Sequence, residues 1–471
     1  MNRATRIFLI LTLVMVGIPT VSAVAAPITV NEDTCSSKGA IFSGSTDDGS
    51  NYCVWVPSMP FTGDLVIFAH GYVDPRIPGG AIPWDQLAIG GVSLPEMVMG
   101  QLHAAFAVTS YPHNGLAVTE GVEAIKELAL EAKTLDGVII NHTYVVGASE
   151  GGLVTALAIE QNPDMIYAGG VSTCGPVGDF KAQVNYWGDF RVAYDYYFQR
   201  TALGPVIPFT PIFVGFVDPY DAITAWGAFD PAHPGLAGPL QQLVFSAIGT
   251  NPVVTQQLIT TGKAPVDPAD LTKTVPATVL GILDYNVRAT DQARAELSGD
   301  PNFFLTPNKG NPYGNAGRWI GTSKDAALNQ WVAAGNDKFT ADPAALVAIR
   351  AYQTTGRIKA PLVDLHTTGD PIVPFWHEPM YLLKAWLSGN GLKFFTIPVN
   401  RYGHCNFTAQ EAMFAYILMV FRATGTIPIL PLSIEPGSKA VLTQQEFNNM
   451  MDQYGPTLQQ EIYTNFVPIV K

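Results

Sequence analysis

Apolar and polar positions follow two rhythms over the first 176 residues of the chain. Short apolar runs with strand character lie at residues 40–43, 52–56, 65–69, 105–110, 144–146 and 169–172. Between them, stretches with helical spacing occupy 94–102, 119–134 and 153–161. In the second of these, Val122, Ile125, Leu128, Ala129 and Ala132 form one apolar stripe, with Thr119 as the expected N-cap. The alternation stops after Pro176 and resumes at Pro361. Strands are then expected at 362–366 and 393–398, and helices at 377–388 and 409–422. This order predicts an α/β protein with a mostly parallel sheet, covered by helices on both faces.

The interruption at 177–360 is far longer than a strand-to-strand crossover needs. It opens on an aromatic cluster, Tyr186, Trp187, Phe190, Tyr194, Tyr196, Tyr197 and Phe198. Helical patterns follow at 239–248, 291–297 and 341–354, with a Gly/Asn/Pro loop at 308–317. The segment reads as a mainly helical cap, inserted into a core made of 26–176 and 361–422. Trp187 and Tyr197 are candidates for the substrate wall, although large aromatics also build the core of any small domain. Residues 423–471 form an extension with one helical stretch, 444–453, and no assignable chemistry.

Composition narrows the compartment and the partners. Arg3 and Arg6 precede an apolar run at 7–16, Pro19 breaks it, and Ser22, Ala23, Ala25 and Ala26 follow. This is the pattern of a secretory signal peptide over 1–25, cleaved after Ala23 or Ala25. The run is short for a membrane-spanning helix, and no later segment is apolar for long enough to span. Apolar residues make up 48% and charged residues 14%, which suits a globular chain with ample core. The net charge of −13 becomes more negative once Arg3 and Arg6 are removed. That argues against nucleic acid or an anionic membrane as partner. Neither HExxH nor paired CxxC motifs occur, so neither a metal nor another cofactor is expected.

Four cysteines, at 35, 53, 174 and 405, suggest two disulfides in an exported protein, with three pairings open. Cys35 and Cys53 flank an expected hairpin around Asp47-Asp48-Gly49-Ser50 and can close a local loop. Cys174 and Cys405 then remain for each other.

The most specific chemistry lies in Gly147-Ala148-Ser149-Glu150-Gly151-Gly152, between the apolar run at 143–146 and the helical pattern from 153. A Gly-x-Ser-x-Gly at a strand-to-helix corner is a nucleophile-elbow pattern. Glycines two residues on either side of the serine let neighbouring backbone pass, and the first helical N–H groups point at the serine oxygen. Serine is a weak nucleophile at neutral pH, so it needs a base within hydrogen-bond reach and a carboxylate to orient that base. Asp370, in Thr-Thr-Gly-Asp after one strand, and His404, in Tyr-Gly-His after the last, supply both. Asp364 is a rival acid inside its strand, and His366 and His377 are rival bases. His103, His113, His142 and His233 read as structural or solvent-facing.

The order Ser149, Asp370, His404, with these positions relative to the strands, resembles the α/β-hydrolase superfamily from about residue 38 to 422. The resemblance places the cap between the sixth and seventh strands. It implies an oxyanion hole made by the amides of Glu150 and of Tyr72, in the His70-Gly71-Tyr72 loop. The phenol of Tyr72 is a second way of donating, as in prolyl-oligopeptidase-like members. It also brings the His404 loop over the edge where the sixth strand ends, so that Cys174 and Cys405 approach. The implied activity is that of a secreted serine hydrolase acting on small-molecule or oligomeric carboxylic esters. An amidase or exopeptidase, with Glu150 or a cap carboxylate holding an amino terminus, is the alternative. A binding protein on a hydrolase scaffold is a third reading, against which the intact Ser, Asp and His argue.

Overall fold

The computed structural model describes residues 32–58, 60–73, 80–198, 238–286, 312–318, 320, 325–335 and 338–426, with 445–446, 448–450 and 452 near the C terminus. The expected signal peptide, the helix expected at 291–297 and His233 lie outside the described residues.

After a short helix α1 (Glu32–Ser37), the chain builds an eight-stranded sheet. Its strands are β1 (Phe42–Ser45), β2 (Asn51–Trp55), β3 (Asp64–Ala69), β4 (Ala105–Thr109), β5 (His142–Ala148), β6 (Gly169–Thr173), β7 (Leu362–Gly369) and β8 (Phe394–Tyr402). They lie in the order β1-β2-β4-β3-β5-β6-β7-β8. β2 is antiparallel to β1 and β4, and every other pairing is parallel. This is the mostly parallel, helix-flanked sheet expected from the sequence.

The period-2 alternation of the strands decides which helix lies where. Leu65, Ile67, Ala105, Ala107, Val145 and Leu362 point to one face, where α3 (Val118–Glu131), α4 (Glu150–Gln161) and α11 (His377–Leu387) bury their apolar sides. Val66, Phe68, Phe106, Val108, Val171, Val363 and Leu365 point to the other, against α2 (Leu94–Leu102) and α12 (Ala409–Thr424). Both faces are dry, so the strands read as near-continuous apolar runs.

Several element edges differ from the sequence pattern. β1 lies two residues later than expected because the 46–50 turn sets the hairpin register. Thr46 and Ser50 close the turn through their backbones, and Ser45 then pairs with Asn51. α3 starts at Val118 with Ala117 as N-cap, so Thr119 is a helical residue and its hydroxyl donates to Glu120. β8 runs on to Tyr402 through a register shift after Val399. The helix expected at 341–354 divides into α10 (Pro343–Ala348) and a 3₁₀ turn, Ile349–Tyr352. A two-stranded ribbon, Ala88–Ile89 with Val92–Ser93, had no counterpart in the sequence pattern.

Between β6 and β7 the described residues contain α5 (Phe180–Phe198), α6 (Pro239–Thr250), α7 (Pro252–Gly262), α8 (Leu271–Asn286), α9 (Ala326–Ala333) and α10. The aromatic cluster falls on α5, where Trp187, Phe190, Tyr194, Tyr196 and Phe198 are all buried. Both disulfides are present, Cys35–Cys53 and Cys174–Cys405, with Cα separations of 5.8 and 5.3 Å. Among the described residues no helix is long and apolar enough to cross a membrane.

The glycines of the β5–α4 corner carry a test of this packing. A Cβ on Gly151 would sit 1.9 Å from the Ala69 carbonyl oxygen, where backbone cannot yield. A Cβ on Gly100, inside α2, meets nothing within 4 Å. Gly151→Ala is therefore expected to cost on the order of 3 kcal/mol or more. Gly100→Ala should stabilise by roughly 0.5–1 kcal/mol. Denaturant unfolding of the two variants checks both signs.

Candidate active site

Ser149 occupies the corner between β5 and α4 at φ 57° and ψ −118°, a conformation that a non-glycine residue adopts only under constraint. The constraint is visible on both sides. The Ser149 N–H donates to the Thr173 carbonyl at 2.9 Å, and its own carbonyl accepts from Gly152 and Leu153 in the first turn of α4. A Cβ on Gly147 would meet the Gly151 carbonyl oxygen at 2.0 Å. The glycine spacing seen in the sequence is thus a requirement of backbone passing backbone.

His404 and Asp370 converge on this serine. The Ser149 hydroxyl donates to His404 Nε2 at 2.8 Å, and His404 Nδ1 donates to Asp370 Oδ2 at 2.7 Å. The carboxylate fixes the tautomer, since only a protonated Nδ1 can face it. Asp370 has no exposed surface. Its other oxygen accepts from the amides of Ile372 at 2.8 Å and Val373 at 3.0 Å. The rivals point elsewhere. Asp364 faces His366, 3.8 Å away, inside the sheet–helix interface. His377 is buried between the Gly178 amide and Gln183. His142 meets Asp64 at the surface, and His103 caps α2.

The loop bearing His404 is strapped at both ends. Arg401 makes a two-pronged ion pair with Glu411 at 2.9 and 3.0 Å and also donates to the Asn406 carbonyl. Thr408 and Glu411 form a reciprocal capping box on α12. The Cys174–Cys405 disulfide ties the same loop to the end of β6, and Cys405 Sγ lies 3.5 Å from His404 Nε2.

The loop after β3 passes directly against the elbow, where a Cβ on Gly71 would stand 3.3 Å from Ser149 Cβ. Gln86, which the sequence pattern did not single out, clamps it. Its carboxamide accepts from the Gly71 amide at 2.7 Å and donates to the Tyr72 carbonyl at 3.2 Å. His70 donates from Nδ1 to the Gly71 carbonyl and stacks on Tyr111 at 3.8 Å. Burial pulls its pKa down to about 4, against the pull of the Gly71 and Ser110 carbonyls, so it is a neutral structural histidine.

The side chain of Glu150 departs from one expectation. It is buried under α3, where its carboxylate accepts the Ala117 amide at 2.6 Å. Burial pushes its pKa well up, the Ala117 hydrogen bond opposes this, and Glu120 adds to it. Buried there on the Ala117 amide, the carboxylate is unavailable to a substrate amino terminus. Its backbone N–H still opens α4 beside Ser149, among the amides that have no partner within the helix.

One aromatic ring stands against the relay and meets two others. Tyr285, near the end of α8, lies edge-on to His404 at 6.4 Å, stacks on Trp187 at 5.6 Å and faces Tyr72 at 6.0 Å. Nothing in the periodicity marked Tyr285. Trp187 is nearly buried and donates through Nε1 to the Ile372 carbonyl at 3.1 Å. Tyr197 lies inside the helices between β6 and β7, its hydroxyl bonded to Thr261 and Asp325, each at 2.7 Å. On the other side of β5, an apolar cavity of about 130 Å³ ends at Ala148, Thr173 and Cys405. Met97, Phe106 and Met413 form part of its wall.

No family model matches the chain, and no curated protein matches it. Several solved structures resemble its backbone at a distance. An esterase from Aspergillus oryzae has a TM-score of 0.42 at 12% identity, over 83% of this chain and 80% of that one. Feruloyl esterase B from Aspergillus oryzae has a TM-score of 0.38 at 13% identity, over 82% and 81%. Pyrococcus horikoshii acylaminoacyl peptidase has a TM-score of 0.37 at 12% identity, over 84% of this chain and 42% of that one. This chain thus spans less than half the length of that peptidase.

The geometry separates the two candidate acids. Asp370→Asn is expected to lower kcat by about 10⁴ by stabilising the wrong His404 tautomer. Asp364→Asn should cost at least about a hundredfold less, since it does not touch His404. Steady-state kinetics on the two purified variants decides the assignment.

Proposed function

We propose that this chain is an exported serine hydrolase that cleaves carboxylic esters through an acyl-enzyme. The observation that carries the reading is the unbroken Ser149–His404–Asp370 relay at the carboxyl edge of a parallel sheet. Ser149 Oγ attacks the substrate carbonyl while His404 Nε2 takes its proton, and Asp370 stabilises the imidazolium that forms. The amides of Tyr72 and Glu150 hold the tetrahedral oxyanion. His404 then returns the proton to the leaving alcohol, and water, activated in the same way, releases the acid. Export rests on the N-terminal signal pattern together with the two disulfides, which persist in oxidising compartments.

An ester with an apolar acyl group is favoured over a peptide. The buried carboxylate of Glu150 removes one anchor for an amino terminus. The apolar cavity lined by Ala148 and Cys405 offers room for a hydrocarbon chain to pack against its Met and Phe walls. The substrate on this reading is a small-molecule or oligomeric ester, with neither a metal nor another cofactor taking part.

Two measurements test these statements. Wild-type protein should hydrolyse p-nitrophenyl esters faster than aminoacyl or peptidyl nitroanilides, and Ser149→Ala should lose on the order of 10⁶ in kcat. Faster nitroanilide cleavage would move the assignment to the amidase class. Full turnover by folded Ser149→Ala would reject the mechanism, and an inert wild type would leave a binding protein. Separately, Ala412→Phe, which fills the cavity from α12, should shift preference from hexanoate to acetate esters by roughly tenfold. An unchanged profile would remove the cavity from the acyl site.

A further inference from the structure

Beneath the relay lies a second set of ionisable groups that the mechanism above does not use. Asp364 and His366 project from β7 to the same face of the sheet, and Glu378 meets them from α11. All three are buried, and their ligand-type atoms lie within 4.8 Å of one another. His366 Nδ1 is 3.0 Å from Glu378 Oε1 and 3.8 Å from Asp364 Oδ1. His366 Nε2 is 2.8 Å from the Val373 carbonyl and 3.7 Å from Asp370 Oδ2.

The hydrogen-bond chemistry assigns the protons. A carbonyl oxygen only accepts, so His366 Nε2 carries hydrogen. Nδ1 faces the carboxyl groups of Glu378 and Asp364, and the charge of Asp364 favours a hydrogen there as well. An imidazole with both nitrogens protonated has no lone pair for a metal ion. The surroundings supply the balancing charge. Asp364 and Asp370 face His366 from its own strand and the following loop, and Glu378 faces it from α11. The Thr396 hydroxyl, from β8, donates to Glu378 at 3.4 Å. Ser172 on β6 sits beside Asp364 in register. Both Asp364 oxygens and the Ser172 hydroxyl are buried without a hydrogen-bond partner among the described residues, which makes a nearby cation the available compensation for that carboxylate. The neighbouring His377 accepts from Gly178 and donates to Gln183, the pattern of a neutral ring, so it does not compete.

We propose that His366 is a positioning residue for Asp370. As an imidazolium clamped between Glu378 and the Val373 carbonyl, it fixes the loop that carries the acid and sets a positive charge beside the carboxylate that orients His404. The proposal rests on the serine-hydrolase reading. Burial pulls the His366 pKa down, but the neighbouring Asp364 and Glu378 carboxyl groups outweigh it and raise the value. Glu378 is pushed up to about 8, chiefly by burial and by Asp364. Both folded values lie above the unfolded ones, so the protons they hold stabilise the fold at low pH. For Glu378 that contribution is lost as pH rises from about 4.5 to about 8, and for His366 it is lost higher still.

The test uses the whole protein with p-nitrophenyl acetate. His366→Gln should lower kcat by roughly 10–100-fold with KM within about twofold. It should also move the acid limb of kcat/KM up by about half a pH unit or more, because losing the cation tightens the hold of Asp370 on the His404 proton. Glu378→Gln should move both in the same direction by less, and should flatten the fall in Tm as pH rises. A folded His366→Gln with wild-type kcat and an unmoved acid limb would overturn the proposal. Should that variant fail to fold, ¹⁵N-histidine NMR of the wild type decides. One histidine must keep both ring protons at about pH 8. Finding none, or finding one bound transition-metal ion per chain that Glu378→Gln releases, overturns it. If Ser149→Ala keeps full turnover, the hydrolase reading itself falls, whereas the NMR result judges the buried cluster independently.

Discussion

Asp370 is a carboxylate with no exposed surface, and keeping it charged there is the demand that organises this molecule. Removing such a group from water costs several kcal/mol unless partners replace the solvent. Here the partners are the His404 ring and the amides of Ile372 and Val373. The loop that provides those amides must itself be held, and its carbonyls are taken one by one. Tyr186 bonds Pro371, Gln183 and Trp187 bond Ile372, and His366 bonds Val373. Three of those four side chains belong to α5, outside the sheet and its flanking helices.

The helices between β6 and β7 are therefore joined to the relay by more than proximity. α5 clamps the acid loop. α8 reaches the end of β8, where the Tyr402 hydroxyl bonds Thr278 and the Thr274 carbonyl. From the same helix Tyr285 lies against His404 and Trp187. A rearrangement of these helices would disturb the acid and the base together, so cap geometry and catalytic geometry are one problem on the proposed reading. The disulfide at Cys405 restrains the remaining side of the histidine loop.

The fold and the relay were legible because both write themselves locally. Short apolar runs marked β3 through β6, and backbone crowding at Gly147 and Gly151 explains why the serine corner carries a recognisable spacing. Asp370 and His404 were legible as residues in the loops just beyond strands. What stayed hidden depends on tertiary contact. Gln86 lies in a 3₁₀ turn next to an unforeseen ribbon, and its partner loop is fifteen residues away. Tyr285 looks like any apolar helical position until α8 is docked. Glu150 was named, with a cap carboxylate, as an anchor for an amino terminus on the alternative reading, yet its side chain is buried under α3. His366 was weighed only as a rival base, and its role as a buried partner of Glu378 becomes visible only once α11 folds back over β7.

On the proposed reading Ser149 is a nucleophile made reactive by His404 and Asp370. Treating the folded protein with a small fluorophosphonate and mapping the adduct by peptide mass spectrometry tests it most directly. One phosphonyl group per chain is expected, on the peptide containing Ser149, with loss of labelling in folded His404→Ala. Labelling at another residue, or no labelling of a folded wild type, would contradict it.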